Sequence, residues 1–270
     1  MSRRFHILCR ISSATETTSL SGRRLGTRRR GDPDIQERSD LSPRRLLFSV
    51  LWLAVAGTLV PSVFAAPDAR QSGGEPDGVV QVANLVYAGT KSSRCFSDHF
   101  LIKAEKETSI STSRRFHAVK LSDEAIYEFP LVIMTGEGDF HLSEAERETL
   151  RRYVERGGFL LASAGCSSSE WDRSFRREMA TIFPKHPLQS IDMSHPIFHT
   201  TYDIKKLNTT HGGSPQPLVG VSIGGRLGVV YSQDGLNDTP HSTGCCCCGG
   251  NELENAIDIN VNILAYALTH

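Results

Sequence analysis

The sequence predicts an α/β fold, a three-layer sandwich with a mainly parallel central sheet. Residues 130–134 and 159–163 are continuous apolar runs, which is typical of parallel strands covered on both faces. Between them, residues 142–156 carry apolar side chains at helical spacing. The three segments form a strand–helix–strand unit of the size of a parallel crossover. Strands and helices alternate along the rest of the chain, as in other three-layer domains.

The elements before this unit follow from local patterns. Residues 79–87 are rich in β-branched side chains and predict a strand that Gly89 closes. Residues 99–108 predict a helix. Residues 116–121 alternate between apolar and polar side chains and predict a second strand, and residues 122–127 predict a short helix.

The central helix has recognisable signals at both ends. Ser143 is followed three residues later by Glu146, which predicts a capping box. Gly157 and Gly158 follow the last helical residue, and glycine supplies the left-handed conformation in which many helices end.

Two more helices and three short strands are predicted after the crossover. In chain order they are helix 171–183, strands 188–191, 218–222 and 227–231, and helix 251–268. The last two strands flank Gly224 and Gly225, which predicts a hairpin. Asn251 with Glu254 three residues later predicts the start of the closing helix.

Charge divides the chain into segments. The whole sequence has 30 basic and 30 acidic residues, but residues 1–45 hold 11 basic and 5 acidic ones. We interpret residues 1–45 as a disordered basic leader and residues 46–65, which carry no charge, as a signal peptide or membrane anchor. Residues 66–78 form a linker rich in Pro, Gly and Asp. Residues 79–270 form a single α/β domain.

The apolar segment predicts export. Arg44 and Arg45 precede it, Pro61 breaks it, and small residues suit a cleavage after Ala65. The segment is also long enough to span a bilayer if it is not cleaved. In both cases the body lies outside the cytoplasm, in the periplasm or anchored at the membrane. No nucleic-acid partner is expected, since no aromatic side chain is interleaved with the leader arginines to stack on bases.

Several stretches of the body carry a recognisable family pattern. They are residues 129–138, Leu142 and Ser143, 150–153, 157–160, 195–204, 231–232 and 260–269. The pattern resembles the bacterial domain of unknown function 4159 family and covers nearly all of the body. The resemblance implies a flavodoxin-like fold similar to class I glutamine amidotransferases. It also implies an envelope protein complex with MoxR-type ATPases and von Willebrand factor A proteins. Many members place two aspartates and an aromatic residue after the Gly-Gly strand, whereas residues 162–169 here read Ala-Ser-Ala-Gly-Cys-Ser-Ser-Ser.

Cys166 is the candidate nucleophile, because a strand-to-helix turn is where amidotransferase-like folds hold a catalytic thiol. A helix N-terminus lowers a thiol pKa, and its backbone N–H groups can form an oxyanion hole. However, the resemblance puts the usual nucleophile position at Ala164, and the usual downstream His-x-Glu pair is absent. A histidine nitrogen within about 4 Å of the Cys166 sulfur would favour catalysis. The alternative is a structural thiol, paired with Cys95.

Four adjacent cysteines precede the closing helix: Cys245, Cys246, Cys247 and Cys248. This spacing is not that of a zinc finger or ribbon. Two or three of the thiols could hold zinc or copper with help from His241. Disulfides to Cys95 or Cys166 are the second alternative, and a loop of unassigned thiols is the third. No cofactor is predicted beyond this zinc or copper hypothesis.

Acidic and hydroxyl side chains follow the predicted strands. Glu137 and Asp139 come after the central strand, Ser167 and Cys166 after the next one, and Asp234 after the last one. Because ligands of open parallel sheets bind at the carboxyl ends of the strands, these residues are candidates for the rim of a ligand site. The alternative is a set of solvated turns.

His195, His199 and Asp203 are spaced by four residues each. Such spacing could present all three to one metal if the segment were helical, and Pro196 suits a first helical turn. The family resemblance of this run favours a packing or turn role, with His195 retained as a ligand-rim candidate.

The favoured interpretation is a non-enzymatic ligand-binding or assembly module at the cell envelope, with a glycan-like ligand or a partner protein. The first alternative is a thiol-dependent hydrolase or amidase with Cys166 as nucleophile. The second is a metal- or redox-active protein that uses residues 245–248.

Overall fold

The computed structural model of the chain describes residues 78–242, 245 and 250–270. The predicted leader, the apolar segment and the linker up to residue 77 lie outside the described residues, as do Cys246, Cys247 and Cys248. Within the described ranges, no helix has the length and apolar character needed to cross a membrane.

An eight-stranded, mostly parallel sheet forms the centre of the domain. Its strands are β1 Val80–Tyr87, β2 Lys91–Ser92, β3 Thr112–Lys120, β4 Leu131–Gly136, β5 Phe159–Ala164, β6 Gln189–Ser190, β7 Val219–Ile223 and β8 Arg226–Ser232. The parallel part runs in the order β3-β1-β4-β5-β8. β2 pairs antiparallel with β1, β7 with β8, and β6 with β7. The predicted α/β class and the hairpin are confirmed.

Within the described residues, four helices cover the sheet on both faces. They are α1 His99–Glu107, α2 Glu144–Glu155, α3 Ser169–Ile182 and α4 Ala256–Thr269. Successive side chains of a strand point to opposite faces, so Val82 packs into a core with α1 and α4, while Ala83 and Leu85 pack into a core with α2 and α3. The two cores and the sheet between them form the three predicted layers.

The ends of α2 match the sequence prediction. The Ser143 hydroxyl accepts a hydrogen bond from the Glu146 backbone N–H, and the Glu146 carboxylate accepts one from the Ser143 N–H at 2.8 Å. Gly157 has a φ of +100°. A Cβ on Gly158 would lie 2.4 Å from the Tyr153 ring, whose hydroxyl donates to the Phe129 carbonyl, so only glycine fits there.

The predicted start of the closing helix is wrong. Helix α4 begins at Ala256 instead of residue 251. The chain before it is used for tertiary contacts: the Asn251 N–H donates to the Ser167 hydroxyl at 2.9 Å, and the Leu253 N–H donates to the Gly235 carbonyl at 3.0 Å. These bonds hold residues 251–253 in a non-helical path, and a capping signal in the sequence does not reveal them.

Candidate functional site

The carboxyl ends of the central strands are covered by the chain itself. Asn237 is 1% exposed and lies across the ends of β4 and β5. Its amide donates to the Thr135 hydroxyl at 3.0 Å, and its side-chain oxygen accepts from the Ser163 hydroxyl. The Leu236 N–H donates to the same serine at 2.7 Å. The crevice in which a ligand was expected is therefore filled.

A second segment closes the gap between β1 and β4. Ser93 is fully buried, and its hydroxyl contacts the carbonyls of Leu85 and Ile133. The same hydroxyl accepts from the Thr135 N–H at 3.0 Å. Because Ser93 satisfies backbone groups of both strands, it holds β2 and the chain that follows it against the sheet.

The structure brings Glu137, Cys166 and Ser167 to this carboxyl edge. A Cβ on Gly165 would lie 3.1 Å from the Glu137 side chain, so the turns after β4 and β5 are in contact. The Ser167 hydroxyl donates to the Asn251 carbonyl at 2.9 Å. Ser167 thus ties this turn to the chain before α4.

Cys166 has an unusual backbone conformation. Its φ is +46° and its ψ is 34°, and Ser167 follows with a φ of +50°. Left-handed non-glycine residues cost of the order of 1–3 kcal/mol each and cluster at functional sites. A Cβ on Gly250 would lie 2.5 Å from the Cys166 backbone, so this glycine packs directly onto the turn.

Asp139 and Asp234 hold neighbouring segments in place. Asp139 accepts from the Ser174 hydroxyl and contacts Arg177, and the serine hydrogen bond, followed by the arginine, holds the pKa of Asp139 below its ordinary value. Asp234 is 8% exposed and accepts from the Gln216 N–H. Both carboxylates are therefore used by contacts within the chain.

His195 lies far from Cys166. Its ring contacts Tyr266, which packs on Phe159 at the first residue of β5, whereas Cys166 follows the last residue of that strand. The strand is six residues long, which separates its ends by roughly 17 Å. His195 accepts a hydrogen bond from the Ile197 N–H, and burial, with a smaller effect of His270, lowers its pKa.

His199 also has a local role. Its Nδ1 lies 2.7 Å from Asp203, and its Nε2 lies 2.7 Å from the Met193 carbonyl. The run from His195 to Asp203 contains only the short 3₁₀ turn Pro196–Phe198, so it does not present three ligands on one helical face.

The cysteine predictions are resolved in part. Cys95 and Cys245 form a disulfide with a Cα–Cα distance of 5.6 Å. This bond was one of the alternatives left open, and it excludes the pairing of Cys95 with Cys166. It also removes Cys245 from the predicted metal site, because a disulfide sulfur is not the thiolate that metals bind.

A groove runs beside the filled crevice, on the sheet face that carries α1. It has a volume of about 490 Å³ and lies between the chain after β2 and strand β3. A second hollow of about 400 Å³ adjoins it and shares Asn84, Arg94 and Phe116 with it. The side-chain oxygen of Asn84 is buried and has no hydrogen-bond partner among the described residues.

Basic side chains line these two hollows. Arg94 lines both, Lys120 lines the larger one, and Arg115 lines the smaller one. All three are exposed, and within the described part of the chain none of them makes an ion pair. Asp98 is the carboxylate that lines the smaller hollow.

The family is decided by the match along the domain. The family model named "Domain of unknown function (DUF4159)" matches residues 82–268. The chain belongs to this family. No curated protein matches the sequence. The DUF4159 match begins inside β1 and ends inside α4, so it contains the disulfide, both hollows and the turn at Cys166.

Among the described residues, the DUF4159 domain holds a cluster of potential metal ligands that the sequence analysis did not identify as a group. His99, Asp238 and His241 each offer a ligand atom, and these atoms lie within 4.8 Å of one another. His99 begins α1, and the other two lie in the loop after β8. Only the short spacing of Asp238 and His241 is visible in the sequence, since more than a hundred residues separate them from His99.

Proposed function

We propose that this DUF4159 domain is an extracytoplasmic binding module that takes an anionic, glycan-like ligand in the groove beside β3. The observation that carries the proposal is a set of basic side chains around two adjoining hollows, Arg94, Arg115 and Lys120, which form no ion pair with any described residue. The scaffold we propose is flavodoxin-like and similar to class I glutamine amidotransferases. In support, the five parallel strands lie side by side in the order β3-β1-β4-β5-β8. If these five strands alone are numbered along the chain, the order is 2-1-3-4-5, which is that of flavodoxin-like sheets.

The position of the groove follows from what fills the usual site. In a flavodoxin-like sheet the ligand binds where the strand order reverses, which here is the gap between β1 and β4. Ser93 occupies that gap, and Asn237 covers the neighbouring strand ends. A ligand is therefore displaced to the flank of β1 and β3, where Asn84 still lacks a partner among the described residues.

Charge selects an anion. Residues 66–270 hold 19 basic and 25 acidic side chains, so the body as a whole repels anions. The three basic side chains around the hollows therefore form a positively charged patch on a domain whose net charge is negative. Clefts lined by one sign of charge concentrate ligands of the opposite sign.

The other lining groups suit a sugar. Phe116 is half-buried and offers part of its ring to both hollows. Ser92, Thr90 and Asn84 are polar residues that line the larger hollow. Binding sites combine apolar surface with a few placed polar groups, and a carboxylated sugar presents both.

The disulfide supports export. Structural disulfides form and persist in oxidising compartments, and Cys95–Cys245 joins residues 150 positions apart. Export, the cleaved or anchored apolar segment, and an envelope complex with MoxR-type ATPases and von Willebrand factor A proteins remain predictions of the sequence and of the family resemblance.

The test is a binding measurement on the full chain. We would titrate it calorimetrically with uronic-acid oligosaccharides and with neutral chito-oligosaccharides of equal length. The acidic sugars should bind, and their affinity should fall as salt is raised. Arg94→Ala with Lys120→Ala should weaken binding at least tenfold. Lys106→Ala with Arg173→Ala removes two exposed cations elsewhere and should leave it unchanged.

Equal binding of neutral and acidic sugars would contradict the proposal, and so would equal losses in the two double variants. Binding of acidic peptides but not of acidic sugars would replace the glycan by a protein partner.

One observation keeps the enzyme hypothesis as a second candidate. Cys166 adopts its left-handed conformation in the turn between β5 and α3, two residues after Ala164, the nucleophile position that the family resemblance implies. A catalytic thiol should react with iodoacetamide much faster than a free thiol in solution at pH 7. Ordinary or slower alkylation of Cys166 in the native protein would count against catalysis.

A further inference from the structure

The first turn of α1 and the loop after β8 meet at a cluster of two imidazoles and a carboxylate. The ligand atoms of His99, Asp238 and His241 lie within 4.8 Å of one another. The centroids of the two imidazole rings lie 4.5 Å apart, and His241 Nδ1 lies 2.8 Å from Asp238 Oδ1. We propose that these three side chains form a zinc site at the smaller hollow, which His241 also lines, and this proposal does not rest on the groove ligand.

One oxygen of the Asp238 carboxylate is buried and unsatisfied within the described part of the chain. Asp238 is 9% exposed, and its Oδ2 is buried without a hydrogen-bond partner among the described residues. An unpaired buried carboxylate oxygen costs of the order of 1–3 kcal/mol or more. A cation bound by this carboxylate and the two histidines would compensate the buried negative charge.

The backbone of Asp238 also adopts an energetically costly conformation. Asp238 has a φ of +52° and a ψ of 49°, a left-handed conformation that costs energy in a non-glycine residue. The surrounding contacts impose it. Asn237 is fixed in the sheet crevice on one side, and the Thr239 N–H and hydroxyl donate to the buried carboxylate of Glu252 on the other.

Hydrogen bonds and the disulfide hold together the two segments that carry the cluster. The Ser97 N–H donates to the Asn237 carbonyl at 2.8 Å, and the Ser97 hydroxyl accepts from the His99 N–H at 3.1 Å. The disulfide joins Cys95 to Cys245 beside these bonds. The two ligand-bearing segments are distant in sequence, and these bonds hold them together before any ion binds. Such support of the ligands by surrounding contacts is typical of metal sites.

The donor set indicates zinc. Two imidazole nitrogens and one carboxylate oxygen are common zinc ligands, at distances near 2.0–2.2 Å from the ion. Tetrahedral bonds of that length put ligand atoms about 3.3 Å apart, so rotations of the two exposed histidines bring the present cluster to that spacing. Three protein ligands leave a fourth position for water or for an anion, and such a site is open.

The neighbouring charges do not forbid a cation. Arg94 and Arg115 line the hollow that reaches His241, and Asp98 lines it too. Asp98 and Asp238 balance the two arginines, so the site is close to neutral before zinc binds.

The experiment uses the full chain purified from an oxidising compartment and stripped with a chelator. Zinc affinity is measured by competition with a chromophoric chelator, and Co²⁺ is then bound as a spectroscopic probe. The parent for all variants carries Cys246→Ser, Cys247→Ser and Cys248→Ser, which removes the competing thiols. We expect one zinc per chain in this parent and a cobalt spectrum without thiolate charge-transfer absorption.

Two variants test the ligands. Asp238→Asn keeps a residue that tolerates the left-handed conformation, and His99→Gln keeps a helical polar side chain. Each should weaken zinc binding at least tenfold without lowering the Tm of the metal-free protein. His211→Gln changes an exposed histidine on another loop and should bind zinc like the parent.

Unchanged zinc affinity in both ligand variants would overturn the proposal. Loss of zinc in the triple-serine parent would also overturn it, and would assign the metal to the cysteines.

Discussion

Loss of the Cys95–Cys245 disulfide should destabilise the domain strongly. A cross-link stabilises mainly by restricting the unfolded chain, and its effect grows with the length of the closed loop. The loop here spans 150 residues. The chain-entropy relation gives about 5 kcal/mol at 25 °C for such a loop. Residual structure in the unfolded state lowers this value, so we expect a loss of about 2–4 kcal/mol.

Urea unfolding of the full chain measures the loss. Cys95→Ser, Cys245→Ser and the double variant are compared in the background that lacks Cys246, Cys247 and Cys248, so that thiols do not exchange. Both single variants remove the same bond. The double variant should therefore lose about as much as either single one, which is far less than the sum.

Reduction supplies the matched control. Adding dithiothreitol to the parent should lower its free energy of unfolding to that of the double variant, whereas the double variant should not respond. A loss below about 1 kcal/mol in the double variant would refute the loop-closure argument. Additive losses in the two single variants would show that the cysteines act separately.

Three further predictions concern single positions. Asn237→Ala should lower the free energy of unfolding by about 2–4 kcal/mol in urea, because two buried strand-end hydroxyls lose their partner. Gly250→Ala should cost about 1–3 kcal/mol in the same assay, since its Cβ would overlap the Cys166 backbone. Burial raises the pKa of Tyr87 from 10.0 to about 12. The unfolded chain loses that proton first, so urea stability should fall as pH rises from 10 to 12, and less steeply in Tyr87→Phe. Losses below about 0.5 kcal/mol in either of the first two variants, or an unchanged slope in the third, would contradict these arguments.

The sequence predicts the sheet well where burial alone decides the pattern. Residues 131–134 of β4 and 159–162 of β5 are all apolar and buried, so the strand–helix–strand unit is visible without any long-range information. The capping box of α2 is equally local, because Ser143 and Glu146 satisfy each other.

The sequence predictions fail where the structure of a segment depends on contacts with residues distant in sequence. Strand β2 has two residues, and its position depends on Ser93, which bonds to both β1 and β4. Asn251 resembles a helix cap, but it is hydrogen-bonded to Ser167, more than eighty residues earlier. No local pattern carries these contacts, since their partners are brought together only by the fold.

The candidate site is hidden for the same reason. The rim residues Glu137, Cys166 and Ser167 do lie at the carboxyl edge, as parallel strands require. What the sequence does not reveal is that Asn237 fills the crevice between these ends. Because Asn237 occupies this position among the described residues, we take the basic flank and the histidine cluster as the candidates.

The disulfide and the Ser97–Asn237 hydrogen bond stabilise the histidine cluster more than they stabilise the groove. Two of the groove's cations, Arg115 and Lys120, lie on β3, which pairs with β1 and keeps its place without the disulfide, whereas Arg94 directly precedes Cys95. The histidine cluster lies on two segments that are joined, within the described part of the chain, by the disulfide, the Ser97–Asn237 hydrogen bond and the contacts of the Asn237 side chain. Reduction should therefore weaken zinc binding much more than binding of an acidic sugar. Equal losses at both sites would mean that the disulfide supports the whole edge of the domain, and that the cluster is no more dependent on it than the groove.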